Sequence, residues 1–186
     1  TASGSYALVN DLDLSATTYS SAVYTSTFTG NFDGLGNKIN GLTIRNSGAG
    51  VQNLGLFAQL QGAGVRNLGL SNVDIQTSAT SAGASGTEYR IGALAGNVGN
   101  AALTTGFAAS AYTTTIDGVW SNGIISTADT SISDSASAGD RQKFMFAGGL
   151  VGSHNNGTLN IARSYSAARV SSVGSYSDNL AIGGLV

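Results

Sequence analysis

The chain has 186 residues, 41% of them hydrophobic and only 10% charged, with a formal net charge of −2. That is enough apolar material for one domain with a real core. It is too little charge for electrostatic capture of nucleic acid or of an anionic membrane, and the eight basic residues are scattered from Lys38 to Arg169.

The chain has no cysteine, which excludes disulfides and Cys-based metal sites. It has no proline against 27 glycines, a balance that favours continuous sheet with tight turns over a linker. No stretch approaches the ~20 apolar residues that span a bilayer, so no membrane insertion by this segment is expected. No signal peptide is visible, the first residue is Thr1, and Val186 falls inside a copy of a recurring motif. A fragment or processed piece of a longer repeat protein is therefore the expectation.

In chain order, Tyr6 to Leu14 alternates like a strand pair, with Leu8, Leu12 and Leu14 inward and Asp11 and Asp13 opposite. Residues 15–27 read as loop or edge strand. Phe28-Thr29-Gly30-Asn31-Phe32 reads as a strand closed by the turn Asp33-Gly34-Leu35-Gly36-Asn37, and Ile39–Ile44 as another strand. Val51-Gln52-Asn53-Leu54-Gly55-Leu56 and Val65-Arg66-Asn67-Leu68-Gly69-Leu70 are alike but too close for successive turns of a three-sided coil, so they belong on different faces. The unit begun at Val65 returns at Ile116–Ser126 and Ile161–Ser171. It aligns Trp120 with Tyr165 and leaves one extra residue, read as a bulge, in the first copy.

A second motif recurs between these units: Leu54–Ala58, Ile91–Gly96, Phe146–Gly152 and Ile182–Val186. It aligns Gly55, Gly92, Gly148 and Gly183 in one column and Phe57, Leu94, Leu150 and Leu185 in another. Polar insertions of unequal length separate the copies, at 97–115, 127–143 and 172–179, and the best place for a short helix is 101–112. Constant apolar strands with variable loops predict an all-β fold: a right-handed parallel β-helix (β-solenoid) of about five turns with loop insertions, as one domain over 1–186. The turns fall at 6–36, 37–60, 65–99, 116–152 and 161–186. Like residues would stack every ~4.8 Å, with Trp120 over Tyr165 as an aromatic ladder and the glycines at sharp corners.

Gly148-Gly149-Leu150-Val151-Gly152, followed by Asn155-Asn156-Gly157-Thr158-Leu159 and Tyr165-Ser166, closely resembles the GLUG repeat. So does Ile91–Asn97 with Ile116–Ser126. Residues 6–44 resemble the opening module that often precedes such repeats, and 45–186 the repeats themselves. The pattern departs at Ala93, Ala95 and the 127–143 insertion. The resemblance implies part of a large secreted bacterial adhesin, of the filamentous-haemagglutinin-like two-partner or autotransporter kind, or the stalk of a secreted peptidase. An extracellular place on the bacterial outer surface follows, with host-cell or biofilm glycans and proteins, or other copies end to end, as partners.

No catalytic site is expected. His154 is the only histidine, which excludes a two-histidine zinc motif, and it reads as a turn residue. Asp11, Asp13 and Asp33 are the one calcium candidate, weighed against simple capping of turn N–H groups. No other cofactor is expected. Asp129, Asp134 and Asp140 share an insertion with Arg141 and Lys143 and read as solvated. Thr25-Ser26-Thr27 and Thr113-Thr114-Thr115 are too few for an ice-binding array. Tyr19, Tyr24, Tyr89, Phe107, Tyr112 and Tyr176 read as loop aromatics able to stack on sugar rings. The alternative function is a β-helical lyase or glycosidase, which needs paired carboxylates beside a groove.

Overall fold

The computed structural model describes residues 2–48, 50–78, 88–100, 112–129, 144–174 and 179–186. The protein is all-β, about 64% strand, with parallel sheets of which one curls into a half-barrel, and the described residues contain no helix. In chain order come β1 (Ser5–Ala7), β2 (Leu12–Asp13), β3 (Thr18–Tyr19) and β4 (Tyr24–Phe28). Next are β5 (Asn31–Asp33), β6 (Lys38–Asn40), β7 (Thr43–Asn46), β8 (Val51–Leu54) and β9 (Phe57–Leu60), then β10 (Gly64–Arg66), β11 (Gly69–Thr77), β12 (Glu88–Gly92) and β13 (Ala95–Val98). The remainder are β14 (Thr113–Asp117), β15 (Trp120–Asp129), β16 (Phe144–Gly148), β17 (Val151–His154), β18 (Thr158–Ala162), β19 (Tyr165–Gly174) and β20 (Asn179–Ile182).

These strands form four sheets. The first is ordered β1-β5-β10-β14-β18; the second is β2-β6-β11-β15-β19, with β3 and β7 continuing it beside β11. The third is β8-β12-β16-β20 and the fourth β4-β9-β13-β17. The chain visits the sheets in one order, with the third sheet skipped in the first pass and the fourth not reached among the described residues of the last, and each ladder joins a strand to its counterpart one circuit earlier or later. The circuits begin at β1, β5, β10, β14 and β18. The first break therefore falls at Thr29–Gly30, not at residue 36. Phe28 ends a strand of the fourth sheet and Asn31 begins one of the first, because the chain turns a corner at Gly30. A Cβ on Gly30 would press on the backbone of Ser3 and Gly4. The two Val-x-Asn-Leu-Gly-Leu segments do begin on different faces, β8 in the third sheet and β10 in the first.

The core is built in columns. Tyr6, Phe32, Val65, Ile116 and Ile161 share one register position of the first sheet. Tyr19, Ile44, Ile75, Ile125 and Val170 share one of the second, and Leu54, Ile91, Ala147 and Ile182 one of the third. Side chains alternate across a strand, so these positions face inward and their neighbours outward. Ile125 is fully buried while adjacent Ile124 is 47% exposed. Burying each such aliphatic side chain contributes roughly 1.5–3 kcal/mol. Leu8 and Leu14 pack on this core, but Leu12 is 42% exposed, since β2 is the outermost strand of its sheet.

The third and fourth sheets approach backbone to backbone. A Cβ on Gly96 would lie 2.7 Å from Asn53 Cα, and one on Gly152 would lie 2.7 Å from the Arg90 carbonyl carbon. Only glycine fits there. On β12, Glu88 and Arg90 are buried as an ion pair at 2.5 Å. Tyr89 is buried too, its hydroxyl donating to the Gly48 carbonyl at 2.6 Å, so it is no loop aromatic. The bulge expected in the 65–75 copy is present between Leu70 and Val73, where Asn72 takes a left-handed φ of 52°. Residues 101–111 of the short helix expected at 101–112 and most of the 127–143 insertion lie outside the described residues, as do Phe107, Tyr176, Asp134, Asp140, Arg141 and Lys143.

Candidate functional site

The two repeat motifs are placed in register. Gly92 pairs with Gly148, Gly55 abuts the Gly92 carbonyl, and Gly183 N donates to the Ala147 carbonyl beside Gly148. Leu94 N donates to the Leu150 carbonyl at 2.9 Å and Leu150 N to the Leu185 carbonyl at 3.0 Å. Phe57 is not in that leucine column. It pairs with Ala95, which pairs with Val151, so Leu56 stands at the head instead. The first bend is one residue shorter than the later ones, which shifts the following strand.

Trp120 and Tyr165 stack, with ring centroids 6.4 Å apart and planes 12° apart. Their column faces outward and continues through Gly69 to Lys38. The indole lies over the space of the missing side chain: a Cβ on Gly69 would be 2.6 Å from Trp120 Cε2.

Asp11, Asp13 and Asp33 do not converge on one point. Asp11 accepts the Lys38 backbone N–H, while Asp13 accepts Ser15 N and Asn40 Nδ2. Asp33 accepts Leu35 N at 2.9 Å, Asn67 Nδ2 at 3.2 Å and Arg66 Nε at 2.8 Å. Each carboxylate already serves a separate turn or ladder. Among the described residues no group of three His, Cys, Asp or Glu could hold a metal ion. The Leu35 backbone N–H, then Asn67 and Arg66, hold the Asp33 carboxyl below the usual range. The Ser15 backbone N–H, its hydroxyl and Asn40 do the same for Asp13. His154 is exposed at the end of β17.

A sizeable concave feature on the outer surface lies elsewhere among the described residues. It is a recess of about 580 Å³ on the outward face of the first sheet. Its floor is Gly62-Ala63-Gly64, its walls include Asn31, Thr113 and Thr115, and Ser5 lies at one side. Ser5, Asn31, Gly64, Thr115 and Asn160 occupy one outward register column. The next outward column is Asp33, Arg66 and Asp117. Arg66 pairs with Asp33, and Arg163 from the following corner pairs with Asp117. Asp117 Oδ1 is buried and has no hydrogen-bond partner.

The corner that aims these charges is itself a column. Asn67, Gly118 and Arg163 follow aligned residues of β10, β14 and β18, with φ of 52°, 63° and 48°. Asn and Gly suit that left-handed bend; Arg163 is held in it by the ion pair to Asp117 and by its neighbours. Compared with known proteins, the chain matches no family model, no curated protein and no solved structure.

The sequence reading overlooked Arg66, Asp117, Arg163, Asn31 and Thr115 as a group. The signal was available: Phe32-Asp33-Gly34, Val65-Arg66-Asn67, Ile116-Asp117-Gly118 and Ile161-Ala162-Arg163 are four copies of one strand-to-corner segment. Aligning them stacks opposite charges.

Proposed function

We propose that the chain is a segment of a right-handed parallel β-solenoid serving as a structural and adhesive part of a bacterial surface or secreted adhesin or filament. The observation that carries this reading is the fixed order in which the chain visits four parallel sheets, with like residues paired from one circuit to the next. Such a stack lengthens by adding circuits and holds its outward side chains at a constant pitch, which suits a stalk that displays surfaces for attachment. GLUG-like segments and the low charge agree with an extracellular setting on the outer surface.

End-to-end self-association is part of the proposal. The outermost edge near β1 opens onto an apolar recess of about 310 Å³ between Tyr6, Leu12, Phe28 and Phe32. The opposite edge exposes Leu180, Ile182 and Val186. Among the described residues β1 and β20 each pair on one side only, and a free parallel edge is a template for a further strand.

The test is twofold. A crystal structure should show the second, third and fourth circuits each contributing to all four sheets and winding right-handed; a left-handed or non-helical path overturns the fold reading. Beads coated with the protein should attach to cells or biofilm above a blank; equal attachment overturns the adhesive reading.

One observation favours a second reading, a carbohydrate-active enzyme. Asp33 and Asp117 flank Arg66 in the recess, two strand spacings or about 10 Å apart along the sheet. The Leu35 backbone N–H, with Asn67 and Arg66, holds the Asp33 carboxyl below its ordinary range, which makes it a poor proton donor. Release of reducing ends or unsaturated products from polysaccharides, lost in Asp117→Asn, would support it. Absence of turnover across neutral and uronic polymers would remove it.

A further inference from the structure

We propose that the recess over Gly62-Ala63-Gly64 binds a neutral oligosaccharide. This deepens the adhesive reading by naming a site and a ligand class, and it rests on that reading for its biological setting only.

The recess exists because the sequence removes side chains at its centre. Gly64 sits in a column otherwise made of Ser5, Asn31, Thr115 and Asn160, and a Cβ there would lie 2.5 Å from Asn31 Oδ1. The gap opens about 580 Å³, within the range of small-ligand sites. Asn31, Thr113 and Thr115 around it are exposed, uncharged, and both donate and accept hydrogen bonds. A sugar hydroxyl does the same, so each side chain can meet one with either polarity.

The charges at one wall decide against other ligands. Asp33 is paired with Arg66 and Asp117 with Arg163, so the wall is electrically balanced. Neither guanidinium is left over to capture a phosphate, sulfate or carboxylate, and neither carboxylate to capture a cation. One half-exposed aromatic ring borders the site: the 49% exposed Tyr112 lies against Gly62, where a Cβ would be 3.4 Å from the ring. Aromatic faces take the C–H side of a sugar ring while its hydroxyls reach the polar wall. A peptide fits worse. The central strands β5, β10 and β14 are paired on both sides, so no free edge is offered to an added strand.

The experiment uses an array of immobilised neutral oligosaccharides, hexose and N-acetylhexosamine chains, beside acidic and sulfated ones. It is probed with the intact chain, with Asn31→Ala/Thr115→Ala, and with Gly64→Leu, which fills the recess. Neutral chains should bind. The double variant should weaken them about tenfold or more, the size expected for losing two hydrogen-bonding side chains, and should leave the urea unfolding midpoint unchanged. Gly64→Leu should abolish binding. The proposal is overturned if no neutral chain binds, if only acidic chains bind, or if binding survives Asn31→Ala/Thr115→Ala unchanged. Bead attachment to cells measured in parallel separates the two readings. Attachment without any neutral glycan binding sinks the recess alone, whereas glycan binding without attachment sinks the adhesive role.

Discussion

Replacing Gly92 by alanine tests the tight bend between the third and fourth sheets. Its added Cβ would lie 2.5 Å from the Ala95 carbonyl oxygen and 2.7 Å from Gly152 N, with the Leu150 carbonyl oxygen closer still. All three are backbone atoms, and two of them belong to ladders that extend to β17, so none can swing aside as a side-chain tip would. Overpacking of this kind costs about 1–3 kcal/mol, with three backbone neighbours pointing to the upper half of that range. The loss of unfolded-chain freedom on Gly→Ala returns only about 0.4–1 kcal/mol. A net destabilisation of about 1–2.5 kcal/mol is expected on these two figures. Gly184 is the internal control, because a Cβ there meets nothing within 4 Å. Gly184→Ala should stay within about 0.5 kcal/mol of the parent. Urea unfolding followed through Trp120, the only tryptophan, reads both variants. Equal midpoints for the two substitutions would refute the claim that close backbone approach demands glycine at Gly92.

Ile125→Ala should cost about 2–5 kcal/mol in the same assay and Ile124→Ala less than about 1, because neighbouring residues face opposite sides of β15; similar losses would overturn the assigned alternation. Removing the Glu88 carboxylate by Glu88→Ala strands Arg90 in the interior and should cost about 3–5 kcal/mol, whereas a loss under about 1 would mean the pair is solvated. Asp13 and Asp33 both have folded-state acidities below the ordinary value of 3.8, so their stabilisation is complete above 3.8 and drains away as pH falls below it. Urea midpoints taken down an acid series should drop through that window, and Asp13→Asn/Asp33→Asn should flatten the drop; an unaltered acid slope would contradict it. Calcium should leave the melting temperature unchanged, since Asp11, Asp13 and Asp33 serve separate protein donors; a rise abolished by Asp13→Asn would restore the calcium site.

The parts of this fold that the sequence discloses are those where circuits repeat a chemical demand. Gly92, Gly148 and Gly183 each crowd the carbonyl oxygen three residues on, and Gly92 pairs with Gly148 across the ladder. Phe57 reads one place out because its bend holds Leu56 alone, where the next holds Ala93 and Leu94; length differences of one residue leave no trace in composition. The boundary at Gly30 is equally silent, since Phe28 and Phe32 look like one alternating strand although they serve different sheets. The acidic trio misleads for another reason. A face shared in one strand says nothing about which turn N–H each carboxylate meets, and Asp33 is claimed from the next circuit by Arg66 and Asn67. The recess is legible only after the four strand-to-corner segments are stacked, because its decisive feature, Gly64, is a missing side chain.

Gly69 and Trp120 carry a further consequence. Columns of leucine and glycine look alike from one circuit to the next, so a nascent stack could join the wrong neighbours at little cost. The indole accepts only a neighbour with no side chain beneath it, and Gly69 is flanked in its column by Lys38 on the far side. A slip by one circuit would drive Trp120 onto the lysine stem. The vacancy and the ring together therefore work as a notch and tooth, recording in a self-similar molecule which circuit comes next.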